Sequence, residues 1–94
     1  MVKHIVTFKL KGTPEERLAV ARDFRDALMK LPATIDCLQS MEVGINENPA
    51  ESWDLVLTAV VLTMEDVAVY ATHPAHVAII KNHKDSRACV DYNF

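Results

Sequence analysis

The sequence predicts an α+β domain in which a four-stranded antiparallel sheet carries its helices on one face. Three observations predict this class. Four segments show the alternation or the short dense apolar run that is typical of strands. Two other segments begin with a threonine cap and continue with helical spacing, and a proline divides the second of these in two. The predicted order of elements is therefore β-α-β-β-α-α-β.

The first strand and the first helix have the clearest patterns. Residues Val2 to Leu10 alternate, and His4 falls on the same face as the apolar residues of this strand. A helix is expected to begin at Pro14, because Thr13 is a suitable cap and a glutamate lies three residues beyond it. The pair Leu31-Pro32 is expected to end that helix.

The middle of the chain predicts a hairpin. Ile35 to Asn46 alternates as one long strand that includes Cys37. The polar, proline-containing segment from Glu47 to Ser52 is typical of a turn, and Trp53 to Leu62 is densely apolar. Both faces of this third strand are apolar, which predicts burial on both sides.

Two short helices and a last strand complete the predicted order. Thr63 caps a helix over Met64 to Tyr70. Pro74 cannot donate a backbone hydrogen bond, so it begins a separate helix that is predicted to run from Pro74 to Lys84. Ala88 to Phe94 is predicted to form the final strand. This order is typical of the split βαβ arrangement, with the helices on a single face of the sheet.

One apolar face of the sheet is left without a cover in this arrangement. Leu55, Leu57, Ala59 and Val61 lie on one side of the third strand with Trp53, and Val56, Val60 and Leu62 lie on the other, and the helices can cover only one of these sides. A second copy of the same sheet is the simplest partner for such a face. We therefore expect a homodimer in which the two sheets lie face to face.

Composition limits the classes of function. The chain has 94 residues, which is the size of a single domain over residues 1–94. Its 10 basic residues are scattered and are outnumbered by 13 acidic ones, which argues against nucleic acid as a partner. No apolar run approaches the roughly 20 residues that cross a membrane. The start Met1-Val2-Lys3-His4 is not followed by the long apolar segment of a signal peptide, so we expect a cytoplasmic protein. Cys37 and Cys89 have no CxxC spacing, so we expect reduced, buried thiols.

The segment from Tyr70 to His76 carries the strongest indication of chemistry. It places a phenol and two imidazoles around Pro74, and His76 is expected in the first turn of the following helix. The positive end of a helix favours a neutral imidazole, which can accept a proton. His76 is thus a candidate general base, and a phenol such as Tyr70 can donate a hydrogen bond. The alternative is structural, with His4 in the core, Tyr70 packing as an aromatic side chain and His76 capping its helix.

The histidine spacing argues against a metal site in this segment. His73 and His76 are separated by Pro74, and His83 lies two helical turns, or roughly 10 Å, beyond His76. A two-ligand site completed by Asp85 or by a partner subunit remains an alternative. No cofactor is expected from the sequence.

Four stretches of the chain together resemble a known family. They are the first strand Val2 to Leu10, Gly44 at the end of the second strand, Asp54-Leu55 at the start of the third, and Tyr70-Ala-Thr-His73-Pro74-Ala75-His76. The chain resembles the stress-responsive A/B barrel (Dabb) domain over essentially all of its residues. The resemblance implies a ferredoxin-like monomer that dimerises into an α+β barrel.

The resemblance also implies a ligand site. A plant relative acts as a polyketide cyclase, and Tyr70, His76 and His4 match residues that line its cavity, whereas Asp54 replaces a histidine of the cyclase. This implies a small apolar or carbonyl ligand and cyclase- or lyase-type chemistry with His76 as base. Because a fold does not fix a function, two alternatives stay open. One is a non-catalytic, stress-protective or binding homodimer, and the other is a cofactor-independent monooxygenase-like or haem-binding barrel in which His76 would be the axial ligand.

Overall fold

Four strands form one antiparallel sheet in the computed structural model, which describes residues 1–80 and 84–94. The strands lie in the order β2-β3-β1-β4, and each is antiparallel to its neighbours. Their bounds are Val2–Leu10 for β1, Ser40–Ile45 for β2, Leu55–Val61 for β3 and Lys84–Asn93 for β4. The predicted fold class is confirmed, and β4 is an edge strand paired along the whole of β1.

Three α-helices accompany the sheet in the described part of the chain, together with a short 3-10 helix over Leu31–Ala33. Their bounds are Pro14–Met29 for α1, Met64–Thr72 for α2 and Pro74–Ile80 for α3. The start of α1 is as predicted, because Thr13 accepts a hydrogen bond from the backbone of Glu16 and the Glu16 side chain accepts one from the backbone of Thr13. Within the described residues, none of these helices combines the length and the apolar character of a membrane span.

The helices bury one face of the sheet and leave the other exposed. The residues of β1 alternate between buried and half-buried positions, and His4 lies on the buried side. In β3, Leu57 and Ala59 are completely buried, whereas the neighbouring Val56 is exposed. We call the exposed side the outer face and define it by Val56, Val90 and Tyr92. This asymmetry is the one that the apolar pattern predicted.

The predicted break at Pro74 is also present. Helix α2 ends at Thr72, and His73 has an extended backbone with ψ of 133°. Pro74 then starts α3, so His76 is the third residue of that helix. Helical geometry is disfavoured for the residue before a proline, which explains the extended backbone of His73. The break fixes the two imidazoles on different elements.

The second strand is shorter than predicted. The chain before Ser40 forms successive turns, in which the amide of Ile35 donates to the carbonyl of Leu31 and the amide of Leu38 donates to that of Ile35. These bonds use backbone groups that a strand would need for its ladder. The predicted strand over Ile35 to Asn46 is therefore wrong at its start, and Cys37 lies half-buried in a turn.

The other errors concern boundaries. The third strand is two residues shorter at its start and one at its end than Trp53 to Leu62, and α2 continues two residues past Tyr70. The prediction of helix through Lys84 is wrong, because Lys84 pairs with Leu10 as the first residue of β4. That strand begins four residues before the predicted Ala88, since β1 offers backbone partners along its full length. The part of the predicted helix at 81–83 lies outside the described residues.

Candidate functional site

Tyr70 lies between two histidine rings on the buried side of the sheet. It belongs to the last turns of α2 and is only 1% exposed. Its ring centroid lies 4.3 Å from that of His76 and 5.8 Å from that of His4. The three side chains that the sequence singled out therefore form one buried cluster, which we call the His-Tyr-His cluster.

The hydroxyl group of Tyr70 is buried without a hydrogen-bond partner among the described residues. Burial of an unpaired polar group costs about 1–3 kcal/mol, so such groups are uncommon in folded proteins. Burial also raises the pKa of this phenol well above its ordinary value, although the positive charge of Arg87 acts in the opposite direction. Tyr70 is consequently held in its neutral form, in which it can donate a hydrogen bond.

The tautomer of His76 follows from its contact with α2. Its Nδ1 atom lies 3.1 Å from the carbonyl oxygen of Ala71. Because a carbonyl oxygen can only accept, Nδ1 carries a proton and donates it. In the neutral ring the lone pair is then on Nε2. His76 is buried beside Tyr70, so the nitrogen that can act as a base belongs to a group in contact with a phenol donor.

His4 is held by a carboxylate that the sequence did not single out. Its Nδ1 donates to Oδ1 of Asp91 at 2.5 Å. The two residues are direct partners in the β1–β4 register, and Cys89 lies one alternate position earlier on the same side of β4. The sequence signal that could have revealed them is that positions 89 and 91 lie on one face of the last strand and can pair with the alternating positions of β1 that include His4.

Cys89 departs from the expectation of a buried thiol. It is exposed, because β4 is the edge strand, and its Sγ lies 3.5 Å from Nδ1 of His4. Burial of part of the side chain and the negative charge of Asp91 raise the pKa of the thiol. Cys37 is only half-buried and is distant in structure, since its Sγ lies 3.6 Å from the carbonyl oxygen of Asp66.

Other residues considered at the sequence level lie outside the cluster. Asp54 accepts hydrogen bonds from the amide of Leu10 and from Arg17, at the end of β1 opposite to His4. Nδ1 of His73 accepts from the amide of Ala75, which makes it part of the helix junction. His83 and the side chain of Asp85 lie outside the described part of the chain.

An open hollow of about 980 Å³ lies near Asp54 and not near the cluster. Its lining is mainly polar and includes Lys9, Arg17 and Trp53, and Nζ of Lys9 lies 5.6 Å from the centre of the Trp53 ring. No member of the His-Tyr-His cluster lines it. Trp53 is half-buried at this rim. The volume of the hollow therefore does not identify it as the candidate site.

The sheet order, the single helical layer and the buried cluster define the class of protein. It is a ferredoxin-like α+β domain whose titratable side chains lie between the sheet and the helices. The model of the stress responsive A/B barrel domain (Dabb) family matches residues 2–94. The chain belongs to that family. Among curated proteins, none matches the sequence.

Solved structures agree with this assignment. A protein from Bacteroides fragilis, described as dimeric, of unknown function and with a ferredoxin-like fold, is 48% identical with a TM-score of 0.91, over 99% of this chain and 95% of its own. Two more distant structures share the fold alone. A hydroxynitrile lyase from Passiflora edulis is 12% identical with a TM-score of 0.75, over 97% and 90% of the two chains. A putative antibiotic biosynthesis monooxygenase from Nitrosomonas europaea is 13% identical with a TM-score of 0.75, over 100% and 98%.

Proposed function

We propose that the protein binds a small carbonyl compound at the His-Tyr-His cluster and catalyses proton transfer on it, as a cyclase or a lyase does. The observation that carries this proposal is the buried Tyr70 hydroxyl without a partner among the described residues. A carbonyl oxygen is an acceptor that would satisfy this donor. The Passiflora edulis structure is described as a lyase, and its fold is that of this chain.

His76 supplies the base in this proposal. Its Nδ1 is committed to the carbonyl of Ala71, which leaves the lone pair of the neutral ring on Nε2. Histidine is the side chain most often used for general acid–base catalysis. The 4.3 Å separation of the Tyr70 and His76 rings allows base and donor to act on one small ligand.

The reaction then divides between these two side chains. Nε2 of His76 removes a proton from the carbon next to the ligand carbonyl, and the electron pair of the broken C–H bond moves towards the carbonyl oxygen. The Tyr70 hydroxyl donates a hydrogen bond to that oxygen as negative charge develops on it. In an aldol-type cyclisation the carbanion carbon forms a bond to a second carbonyl carbon of the same ligand. The resulting alkoxide takes the proton back from His76, so no atom is lost.

His4 orients the other side of the phenol. Asp91 accepts the Nδ1 proton of His4, which fixes the plane of that ring and assigns the lone pair of its neutral form to Nε2. A carboxylate that holds an imidazole in one tautomer is a recurring support for acid–base sites. We assign His4 a positioning role, because the described contacts place its ring at the edge of Tyr70.

We further propose that the working form is a homodimer assembled through the outer face. Val90 and Tyr92 are 54% and 42% exposed there, and Val56 lies on the same side of the sheet, on the far side of β1. The similar protein from Bacteroides fragilis is described as dimeric. The outer face is on the side of the sheet away from the cluster. A dimer formed through it would therefore not cover the proposed ligand site, which lies between the sheet and the helices. A cytoplasmic location is part of the same proposal.

The experiment is exchange of α-protons for deuterium in a panel of alkyl-substituted 1,3-diketones, followed by proton NMR in D₂O. Loss of the base in His76→Gln is expected to lower enzyme-dependent exchange about 100-fold or more. Loss of the oxyanion donor in Tyr70→Phe is expected to lower it about 100-fold. His73→Gln and Tyr92→Phe are the matched controls, because they make the same chemical changes outside the cluster, and both should retain exchange.

Four results would overturn the acid–base role. Exchange at the rate of buffer alone in the native protein removes it, as does equal exchange in His76→Gln and in the native protein. Diketone binding that both variants retain, without exchange, would indicate a binding module. A Soret band that appears on addition of haemin and is lost in His76→Gln would support the haem-binding barrel in its place.

A further inference from the structure

Three side chains with different donor atoms meet at the β1–β4 edge of the sheet. They are the imidazole of His4, the thiol of Cys89 and the carboxylate of Asp91. The register places Asp91 directly opposite His4 and Cys89 opposite Val6, so all three project from the same side of the sheet. One ligand atom from each lies within 4.8 Å of the other two. Among the described residues this is the one such group of three or more.

The distances between these atoms approach those of a tetrahedral metal centre. In a tetrahedral site, bonds of about 2.3 Å to sulfur and about 2.0 Å to nitrogen or oxygen place a sulfur ligand about 3.5 Å from a nitrogen or oxygen ligand. Sγ of Cys89 lies 3.5 Å from Nδ1 of His4 and 3.7 Å from Oδ2 of Asp91. The 2.5 Å pair of His4 and Asp91 is about 0.8 Å shorter than two metal ligands require. Rotation of the Asp91 carboxylate, which is 24% exposed, can supply that difference.

From this geometry we propose that His4, Cys89 and Asp91 form a binding site for Zn²⁺ or a similar borderline-soft divalent ion. A set of one nitrogen, one sulfur and one oxygen ligand suits zinc, whereas Mg²⁺ and Ca²⁺ favour sets of oxygen atoms. Three protein ligands leave the fourth tetrahedral position for water or a small ligand, as in catalytic and not in closed structural zinc sites. The proposed metal site shares His4 and Asp91 with the proposed acid–base site, but it does not include the base His76 or the donor Tyr70.

The charge and proton balance permit this site. With Cys89 as thiolate and Asp91 as carboxylate, the ligands carry two negative charges. Arg87, which acts electrostatically on Cys89, contributes one positive charge but is exposed and can move into solvent. Binding moves the proton of neutral His4 from Nδ1 to Nε2 and releases the thiol proton of Cys89. One proton is therefore released for each ion bound when His4 is neutral.

Access to the site comes from the edge of the sheet. Cys89 is exposed and Asp91 is partly exposed, whereas His4 is buried behind them. An ion can thus reach the thiolate and carboxylate first and bind the imidazole last. Because Nδ1 of His4 would be a metal ligand, bound zinc would also break its hydrogen bond to Asp91.

The test is titration of untagged, reduced protein with Co²⁺ and with Zn²⁺. Bound Co²⁺ should produce a thiolate-to-metal charge-transfer band. Added Zn²⁺ should displace the Co²⁺, so that the band disappears. Calorimetry of Zn²⁺ binding in two buffers of different ionisation enthalpy should show that protons are released when the ion binds. Substitution of a residue that only hydrogen-bonds to a metal ligand lowers metal affinity about 10–100-fold. Cys89→Ser removes a ligand itself and should therefore lower the affinity about 100-fold or more. Asp91→Asn should weaken binding in the same direction.

Cys37→Ser is the matched control, since it removes the other thiol of the chain and should leave the charge-transfer band and the affinity unchanged. Tyr70→Phe should also bind zinc normally, which separates this proposal from the acid–base one. The proposal is overturned if Co²⁺ gives no charge-transfer band with the native protein. It is equally overturned if circular dichroism shows folded Cys89→Ser that binds Zn²⁺ as tightly as Cys37→Ser does.

Discussion

Removal of one oxygen atom from the centre of the protein is expected to make the ligand-free protein more stable. In Tyr70→Phe the ring that packs between His4 and His76 is kept, and only the hydroxyl is lost. That hydroxyl is buried and unpartnered among the described residues. Its removal therefore relieves a desolvation penalty and breaks no described hydrogen bond.

The size of the effect follows from this burial. An unsatisfied buried polar group costs about 1–3 kcal/mol, and the small void left by the oxygen offsets part of the gain. We expect the free energy of unfolding to rise by about 1 kcal/mol. For a domain of this length, such a change raises Tm by about 4–8 °C. Together with the proposed decrease of about 100-fold in exchange, this gain would be the trade-off between stability and activity that is common at functional sites.

Urea denaturation followed by circular dichroism measures this difference directly. Both proteins must be compared at one protein concentration, because the proposed dimer would make stability depend on concentration. Tyr92→Phe is the control, since its ring is 42% exposed and the change should stay within about 0.5 kcal/mol. A loss of 1 kcal/mol or more in Tyr70→Phe would refute the reasoning, because it would mean that the hydroxyl is satisfied in the free protein.

Three further predictions concern pH, assembly and local structure. The raised pKa of Tyr70 means that the folded state keeps a proton that the unfolded state loses, so the free energy of unfolding should fall as pH rises above about 10. Urea denaturation at several pH values should show a shallower fall in Tyr70→Phe. Val90→Asp on the outer face should weaken the dimer about 100-fold or more in analytical ultracentrifugation, whereas Val69→Asp, on an exposed position of α2, should not. Thr13→Ala removes the cap of α1 and should lower the free energy of unfolding by about 1 kcal/mol, while unchanged stability in urea would contradict the capping role.

The fold could be predicted where local signals and tertiary packing agree. The cap at Thr13, the alternation of β1 and the break at Pro74 all fix structure through nearby atoms, and each is found where it was expected. The prediction of a strand around Cys37 was wrong because a series of turns can show the same alternation of apolar residues as a strand. The start of β4 at Lys84 was not predicted, because the pairing of Lys84 depends on β1, which lies more than seventy residues away in the sequence.

The candidate site was predicted only in part for the same reason. Tyr70 and His76 are close in sequence, so their proximity follows from one helix junction. Asp91 and Cys89 reach His4 through the register of an edge strand, which the sequence of β4 does not specify. The state of the Tyr70 hydroxyl could not be predicted either, because it depends on which atoms of other elements surround it.

The most direct test of the central claim is the α-proton exchange of 1,3-diketones by the native protein, His76→Gln and the control His73→Gln. If the His-Tyr-His cluster is an acid–base site, the native protein and the control should accelerate exchange, and His76→Gln should be slower by about 100-fold or more. Exchange that does not depend on residue 76, or that does not exceed the buffer rate, would contradict the account.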